Sequence, residues 1–138
     1  MDSGRRGGAQ YAGFRLAFAG LALFCFGLGL GFAVALFPAI KPLLSAHESA
    51  LGSGTFLIGI GAIWSIYMNS ESKRLVLGIW LSHYALSGAL LFDGLGGTTR
   101  KVTDLLIAIS CVAVAITTFI LIGKFWHETR GMRIGETS

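Results

Sequence analysis

Hydrophobic and polar positions divide the chain into four long apolar runs with short charged stretches between them. Residues 16–40 and 49–70 carry no charged side chain, and the apolar runs at 75–92 and 105–123 are bounded by charged residues. None of the runs alternates polar with apolar residues, which excludes the strands of a membrane β-barrel. About 20 apolar residues in a helix cross the hydrocarbon core of a bilayer. The pattern therefore predicts an all-α integral membrane four-helix bundle, a single transmembrane domain over residues 1–138 with spans at about 16–38, 49–68, 75–92 and 105–123.

The connections between the predicted spans, residues 41–48, 71–74 and 93–104, leave no room for a soluble domain. Of all residues, 54% are apolar and 13% are charged, whereas a soluble domain carries roughly 25% charged residues. This composition excludes an ordinary soluble enzyme and a nucleic-acid-binding protein. Any chemistry is therefore expected within the bundle or at its rim.

The distribution of basic residues predicts the orientation of the chain. Eight of the 11 Lys and Arg residues fall in the N-terminal tail, the second connection and the C-terminal tail, and three fall on the opposite side: Lys41, Arg100 and Lys101. The cytoplasmic ends of membrane spans are enriched in Lys and Arg. We therefore expect a multi-pass protein of the cell inner membrane with both termini in the cytoplasm, and the net charge of +4 then requires no nucleic acid.

Small residues form stripes along two of the predicted helices. Gly27 and Gly31 make a Gly-x-x-x-Gly pair in the first span, and Gly78 and Ser82 begin a similar stripe in the third. Such stripes let helix backbones approach closely in lipid, so they indicate either packing within the chain or contacts between chains. Because four short helices enclose little volume, a site for a sizeable ligand is expected between the subunits of a homo-oligomer.

Polar side chains inside a membrane span are costly unless they are paired or functional, and this sequence has few. His47 lies at the predicted start of the second span, where it is either an interfacial residue or a ligand. His83 lies in the middle of the third span, where it is either hydrogen-bonded to a helix carbonyl or to Ser87, or part of a site. No carboxylate or second histidine is spaced for zinc near His47, and Cys25 and Cys111, which form no Cys-x-x-Cys pair, are interpreted as small buried residues.

The second predicted span resembles the hydroxylaminobenzene mutase family of small four-span proteins and the related styrene oxide isomerases. The residues that carry the resemblance are Ser45-Ala46-His47, Gly54-Thr55-Phe56-Leu57 and Gly61-Ala62-Ile63-Trp64. It is specific over about residues 45–64 and extends as span layout over about 16–123. The sequence departs from the family pattern at Ser53 and Leu86, where the family has asparagine.

This resemblance implies a ferric haem b bound between the subunits of a trimer, with His47 as the axial iron ligand. It also implies an isomerase that rearranges a small aromatic substrate without net redox change, either an epoxide to a carbonyl compound or an arylhydroxylamine to an aminophenol. An open iron position opposite His47 would act as a Lewis acid toward the substrate oxygen. At the rim of the bundle, Lys41 and Arg100 are expected to pair with the haem propionates.

Three hydroxyl side chains are candidate catalytic residues that would hydrogen-bond the substrate: Tyr84, Ser53 and Ser87. Two other functions remain open. One is a non-catalytic tetraspan assembly or accessory subunit whose small-residue stripes bind a larger membrane partner. The other is a haem electron carrier, which normally uses two axial ligands; His83 is the available second ligand, but its predicted position near the midplane differs in depth from that of His47.

Overall fold

The computed structural model describes residues 3–37, 41–68, 72–96 and 100–135, and it confirms the all-α fold. Four helices follow one another: α1 (Ser3–Leu36), α2 (Lys41–Tyr67), α3 (Lys73–Gly94) and α4 (Arg100–Gly135). Each contains a stretch long and apolar enough to cross a membrane, namely Gly7–Leu36, Leu43–Tyr67, Lys73–Asp93 and Lys101–Glu128. The chain is therefore a multi-pass membrane protein with four candidate spans.

The helices begin earlier than the predicted spans, which corrects two of the predicted connections. Helix α2 begins at Lys41, so residues 41–48, predicted as a connection, are its first two turns, and His47 lies in the second turn rather than at the start. The connection predicted over 93–104 likewise contracts to residues 95–99 between α3 and α4. The reason is that charged residues mark where a helix leaves the hydrocarbon, whereas an α-helix satisfies its own backbone hydrogen bonds in lipid and in water.

The four helices pack unequally. Helix α1 packs most extensively on α2, α3 contacts α2 and α4, and α1 touches α3 only slightly. The main core contains residues from all four helices, and its largest fully buried members are Leu16, Leu57, Trp64, Ile79 and Leu121. Helix α4 is the most exposed of the four spans, so it lies at the edge of the bundle.

The outer surface of the bundle is apolar, as contact with a bilayer requires. Large hydrophobic side chains such as Phe18, Ile109 and Phe119 are more than half exposed. Cys25 and Cys111 also lie on this surface, so their prediction as buried residues was wrong. A thiol is weakly polar and is stable facing lipid as well as in a core.

Glycines spaced by seven residues bring α1 and α2 into backbone contact. Gly13 and Gly20 on α1 face Gly61 and Gly54 on α2: a Cβ at Gly61 would lie 2.5 Å from the Gly13 carbonyl oxygen, and a Cβ at Gly54 would lie 2.8 Å from that of Gly20. Real Cβ atoms do not approach backbone this closely, so only glycine fits. The two helices therefore pack as an antiparallel pair whose separation is set by main-chain atoms.

Both predicted small-residue stripes make their contacts within the chain. Gly27 packs against Leu51, 3.0 Å from the position a Cβ would take. On α3, a Cβ at Gly78 would lie 3.5 Å from the Thr117 methyl group, and the Ser82 and Thr117 hydroxyl oxygens are 3.3 Å apart. Of the two interpretations left open by the sequence, packing within the chain is the one that these contacts support.

Candidate functional site

The candidate site centres on His47, which continues the glycine series of α2. Positions 47, 54 and 61 are each seven residues apart, so His47 stands where the series would place a third glycine. Helix α1 makes room for the imidazole at Gly31, where a Cβ would lie 2.6 Å from the His47 Cε1 atom and 3.0 Å from Nδ1. We call the group formed by Gly27, Gly31 and His47 the His47 niche.

A hydrogen bond fixes the orientation and the tautomer of the imidazole. The His47 Nδ1 and the Gly27 carbonyl oxygen are 2.7 Å apart. A carbonyl oxygen only accepts, so Nδ1 carries the proton and donates it, and in the neutral ring Nε2 keeps a lone pair. Histidines that bind metals through one ring nitrogen commonly donate the other N–H to a carbonyl in this way.

The His47 side chain is partly exposed. Within the described ranges, the buried side-chain nitrogen and oxygen atoms without a hydrogen-bond partner are Trp64 Nε1 and His83 Nε2, so His47 Nε2 is not one of them. The niche therefore holds the imidazole between α1 and α2 while leaving part of the His47 side chain exposed.

Nothing else in the described part of the chain completes a metal site. No group of three or more His, Cys, Asp or Glu side chains is placed there to hold a metal ion. A single imidazole holds iron only when a cofactor supplies the remaining ligands, as a porphyrin does with its four nitrogens. The donor set at His47 therefore fits a haem and does not fit a bare ion.

The second histidine belongs to a separate polar cluster between α2 and α3. His83 Nδ1 lies 3.0 Å from the Ser53 hydroxyl oxygen, and its ring stacks on Phe56 with centroids 4.9 Å apart. The predicted hydrogen-bonded state of His83 is thus present, but with Ser53 as partner and not Ser87 or a carbonyl. Ser87 instead pairs with Ser49, at 3.3 Å between hydroxyl oxygens.

The two histidines lie at different depths. Ser53, the partner of His83, is six residues from His47 along α2, which corresponds to about 9 Å at 1.5 Å per residue. A second axial ligand has to reach the opposite face of the same iron. The depth difference that the sequence predicted is therefore present, and it disfavours the electron carrier.

The Tyr84 side chain follows His83 in the sequence but extends from the side of α3 that faces α1. Its hydroxyl donates a hydrogen bond of 2.8 Å to the Ala19 carbonyl oxygen, and its ring meets Trp80 edge-on at 5.4 Å. The three candidate catalytic residues are consequently not gathered around His47. The Tyr84 hydroxyl is hydrogen-bonded to α1, and the Ser53 hydroxyl is hydrogen-bonded to His83. The Ser87 hydroxyl is hydrogen-bonded to Ser49, which lies two residues beyond His47.

For the two candidate partners of the haem propionates, the structure describes the position in the helix but not the side chain. Lys41 and Arg100 are the first residues of α2 and α4, which places both at the end of the bundle where α2 carries His47. Their side chains lie outside the described part of the chain.

No protein-family model, curated protein or solved structure matches the chain. What the site does is therefore inferred from the geometry of the His47 niche together with the motif at residues 45–64. The niche itself has a sequence signal that residue types alone did not reveal: the seven-residue spacing that links His47 with Gly54 and Gly61.

Proposed function

We propose that the protein is a haem-dependent membrane isomerase that binds haem b through His47. The observation that carries the proposal is the hydrogen bond from His47 Nδ1 to the Gly27 carbonyl oxygen, 2.7 Å long, which leaves the Nε2 lone pair as the proposed axial ligand. The space for the imidazole comes from Gly31, where a Cβ would lie 2.6 Å from the His47 Cε1 atom. The reaction proposed is the rearrangement of a small aromatic epoxide or arylhydroxylamine.

The surroundings of the niche suit a flat, largely apolar cofactor. Exposed apolar side chains such as Phe26, Leu28 and Phe32 lie on the same stretch of α1 as Gly27 and Gly31. Since His47 is partly exposed, a cofactor bound to it would be covered by a second subunit, and we propose a homotrimer. Lys41 and Arg100 at this end of the bundle are the proposed partners of the propionates.

The chain's own residues would contribute positioning and hydrogen bonds. When bound, ferric haem supplies a Lewis acid for the lone pair of an epoxide or N-hydroxyl oxygen. Ser49 and Ser87, hydrogen-bonded to each other one half-turn beyond His47, are the nearest hydroxyl pair along α2. Ser53 and Tyr84 are less direct candidates than this pair. The Ser53 hydroxyl is hydrogen-bonded to His83, and the Tyr84 hydroxyl donates to the Ala19 carbonyl oxygen. The substrate atoms are all retained in the product, so no oxidant or reductant is consumed.

The absorption spectrum of the purified protein tests the proposal. Wild-type protein from cells supplied with haem, purified in mild detergent, is expected to show a Soret band that shifts when an arylhydroxylamine or an aromatic epoxide is added. The ferric protein is expected to form rearranged product without consuming nicotinamide or oxygen, and dithionite reduction is expected to slow it, because Fe(II) is the weaker Lewis acid. A colourless wild-type protein would overturn both the cofactor and the isomerase. Bound haem without spectral shift or product would favour the accessory-subunit or the haem-carrier alternative.

We further propose that both termini are cytoplasmic, since eight basic residues lie at one end of the bundle against three at the other. A C-terminal green fluorescent protein fusion is expected to be bright, and a C-terminal alkaline phosphatase fusion to be inactive. The reverse pattern would invert the orientation while leaving the four spans unchanged.

A further inference from the structure

A groove runs between α1 and α3 at the end of the bundle opposite His47. It encloses a cavity of about 460 Å³, and aromatic side chains, among them Phe14, Phe18, Trp80 and Tyr84, form much of its wall. It exists because α1 touches α3 only slightly. On α1 the lining ends at Ala22, five residues before Gly27, so the groove is distinct from the His47 niche.

The length of the groove matches one leaflet of a bilayer. Its lining extends over twelve residues on each helix, from Tyr11 to Ala22 on α1 and from Lys73 to Tyr84 on α3. The eleven steps from the first residue to the last rise about 16 Å, and half of a hydrocarbon core of about 30 Å is about 15 Å. The groove therefore has the length of a lipid acyl chain that lies in one leaflet.

The charged residues of the groove are confined to one end and are both basic. Arg15 and Lys73 are among its lining residues, and no carboxylate is among the described ones. The Arg15 guanidinium lies 5.8 Å from the centre of the Tyr11 ring and, within the described part of the chain, has no ion-pair partner. Long basic side chains reach the headgroup level while their stems cover apolar surface.

From these features we infer that the α1–α3 groove binds an anionic phospholipid, with its phosphate at Arg15 and one acyl chain along the aromatic wall. Charge complementarity selects this occupant. A zwitterionic lipid offers the Arg15 guanidinium no net charge. The inference is independent of the proposed haem chemistry, because the groove does not include His47.

Trp80 in the groove wall provides the measurement. In a Trp126→Phe variant the remaining tryptophans are Trp80 and the fully buried Trp64, and Trp80→Phe in the same background gives the Trp64 baseline. The protein is reconstituted in phosphatidylcholine vesicles that contain increasing fractions of brominated phosphatidylglycerol or, separately, brominated phosphatidylcholine. Phosphatidylglycerol is expected to quench Trp80 at a several-fold lower mole fraction, because each basic residue near a membrane surface is worth about a fivefold preference for anionic lipid.

Matched charge removals distinguish the groove from general attraction to an anionic surface. Arg15→Gln is expected to reduce the preference for phosphatidylglycerol about fivefold, whereas Arg130→Gln, which removes the same charge from exposed α4, is expected to leave it unchanged. Equal quenching by both brominated lipids, or an equal effect of the two substitutions, would overturn the inference. Absence of quenching by either lipid would also overturn it, since the groove would then be covered by protein.

Discussion

His47→Ala is expected to remove the Soret band and to lower turnover to the uncatalysed background. The substitution deletes the proposed axial ligand, and no second group of metal-binding side chains is available among the described residues to replace it. His127→Ala is the matched control, because His127 is exposed on α4 and its loss should change neither the spectrum nor the rate. A His47→Ala protein that keeps both haem and activity would exclude His47 as the ligand.

A pair of glycine substitutions tests whether the niche orients His47. Gly31→Ala would place a Cβ 2.6 Å from the His47 Cε1 atom, whereas Gly29→Ala meets nothing within 4 Å. Both add one methyl group to the same turn of α1. Gly31→Ala is expected to weaken haem binding about 10- to 100-fold, as displacement of a ligand-orienting contact commonly does, and Gly29→Ala to leave it unchanged. Equal haem affinities would mean that the niche only packs the two helices. The affinity is measured by haem transfer to an apoprotein acceptor, which does not depend on activity.

Gly61→Ala is expected to destabilise the bundle by about 1–3 kcal/mol or more, the usual cost of overpacking. The added Cβ would lie 2.5 Å from both the Ala17 nitrogen and the Gly13 carbonyl oxygen, and main-chain atoms of a packed helix cannot turn aside as a side chain can. The measurement is an unfolding titration with sodium dodecyl sulfate in a Trp80→Phe, Trp126→Phe background, followed through the fluorescence of Trp64, which is fully buried.

Gly59→Ala is the control for this prediction, because Gly59 lies on the same helix and a Cβ there meets nothing within 4 Å. Its unfolding midpoint is expected to stay close to that of the wild type or to rise slightly, since alanine favours a helix more than glycine does. If the two variants unfold at the same detergent concentration, the backbone contact between α1 and α2 does not limit stability.

The four helices were predictable because charge and apolar length are properties of the sequence alone. The fold class follows from runs such as 16–40, which no soluble fold would bury. The start of α2 at Lys41 was not predictable in the same way, because a helix continues beyond the hydrocarbon wherever its backbone remains regular. Charge therefore identified the edges of the membrane and not the ends of the helices.

The sequence identified the residue types that could carry the chemistry of the site, but not the groups to which each side chain is hydrogen-bonded. His47 and His83 both stood out as polar residues in apolar spans, yet only the rotation of each helix decides that His47 faces Gly27 while His83 faces Ser53. Tyr84 was predicted as a candidate to hydrogen-bond a substrate, but the sequence did not reveal that its hydroxyl donates to the Ala19 carbonyl oxygen on α1. Helix rotation is set by packing between distant segments, which the residues around one position do not encode.

The close α1–α2 contact also bears on how the protein is made. Every atom that orients the His47 imidazole, from the Gly27 carbonyl to the space at Gly31, belongs to the first two helices. Chains are synthesised from the N-terminus, and early segments assemble before late ones emerge. Once α2 has left the ribosome, the hairpin contains all that fixes the imidazole tautomer. The later helices then pack against a hairpin in which the imidazole is already oriented.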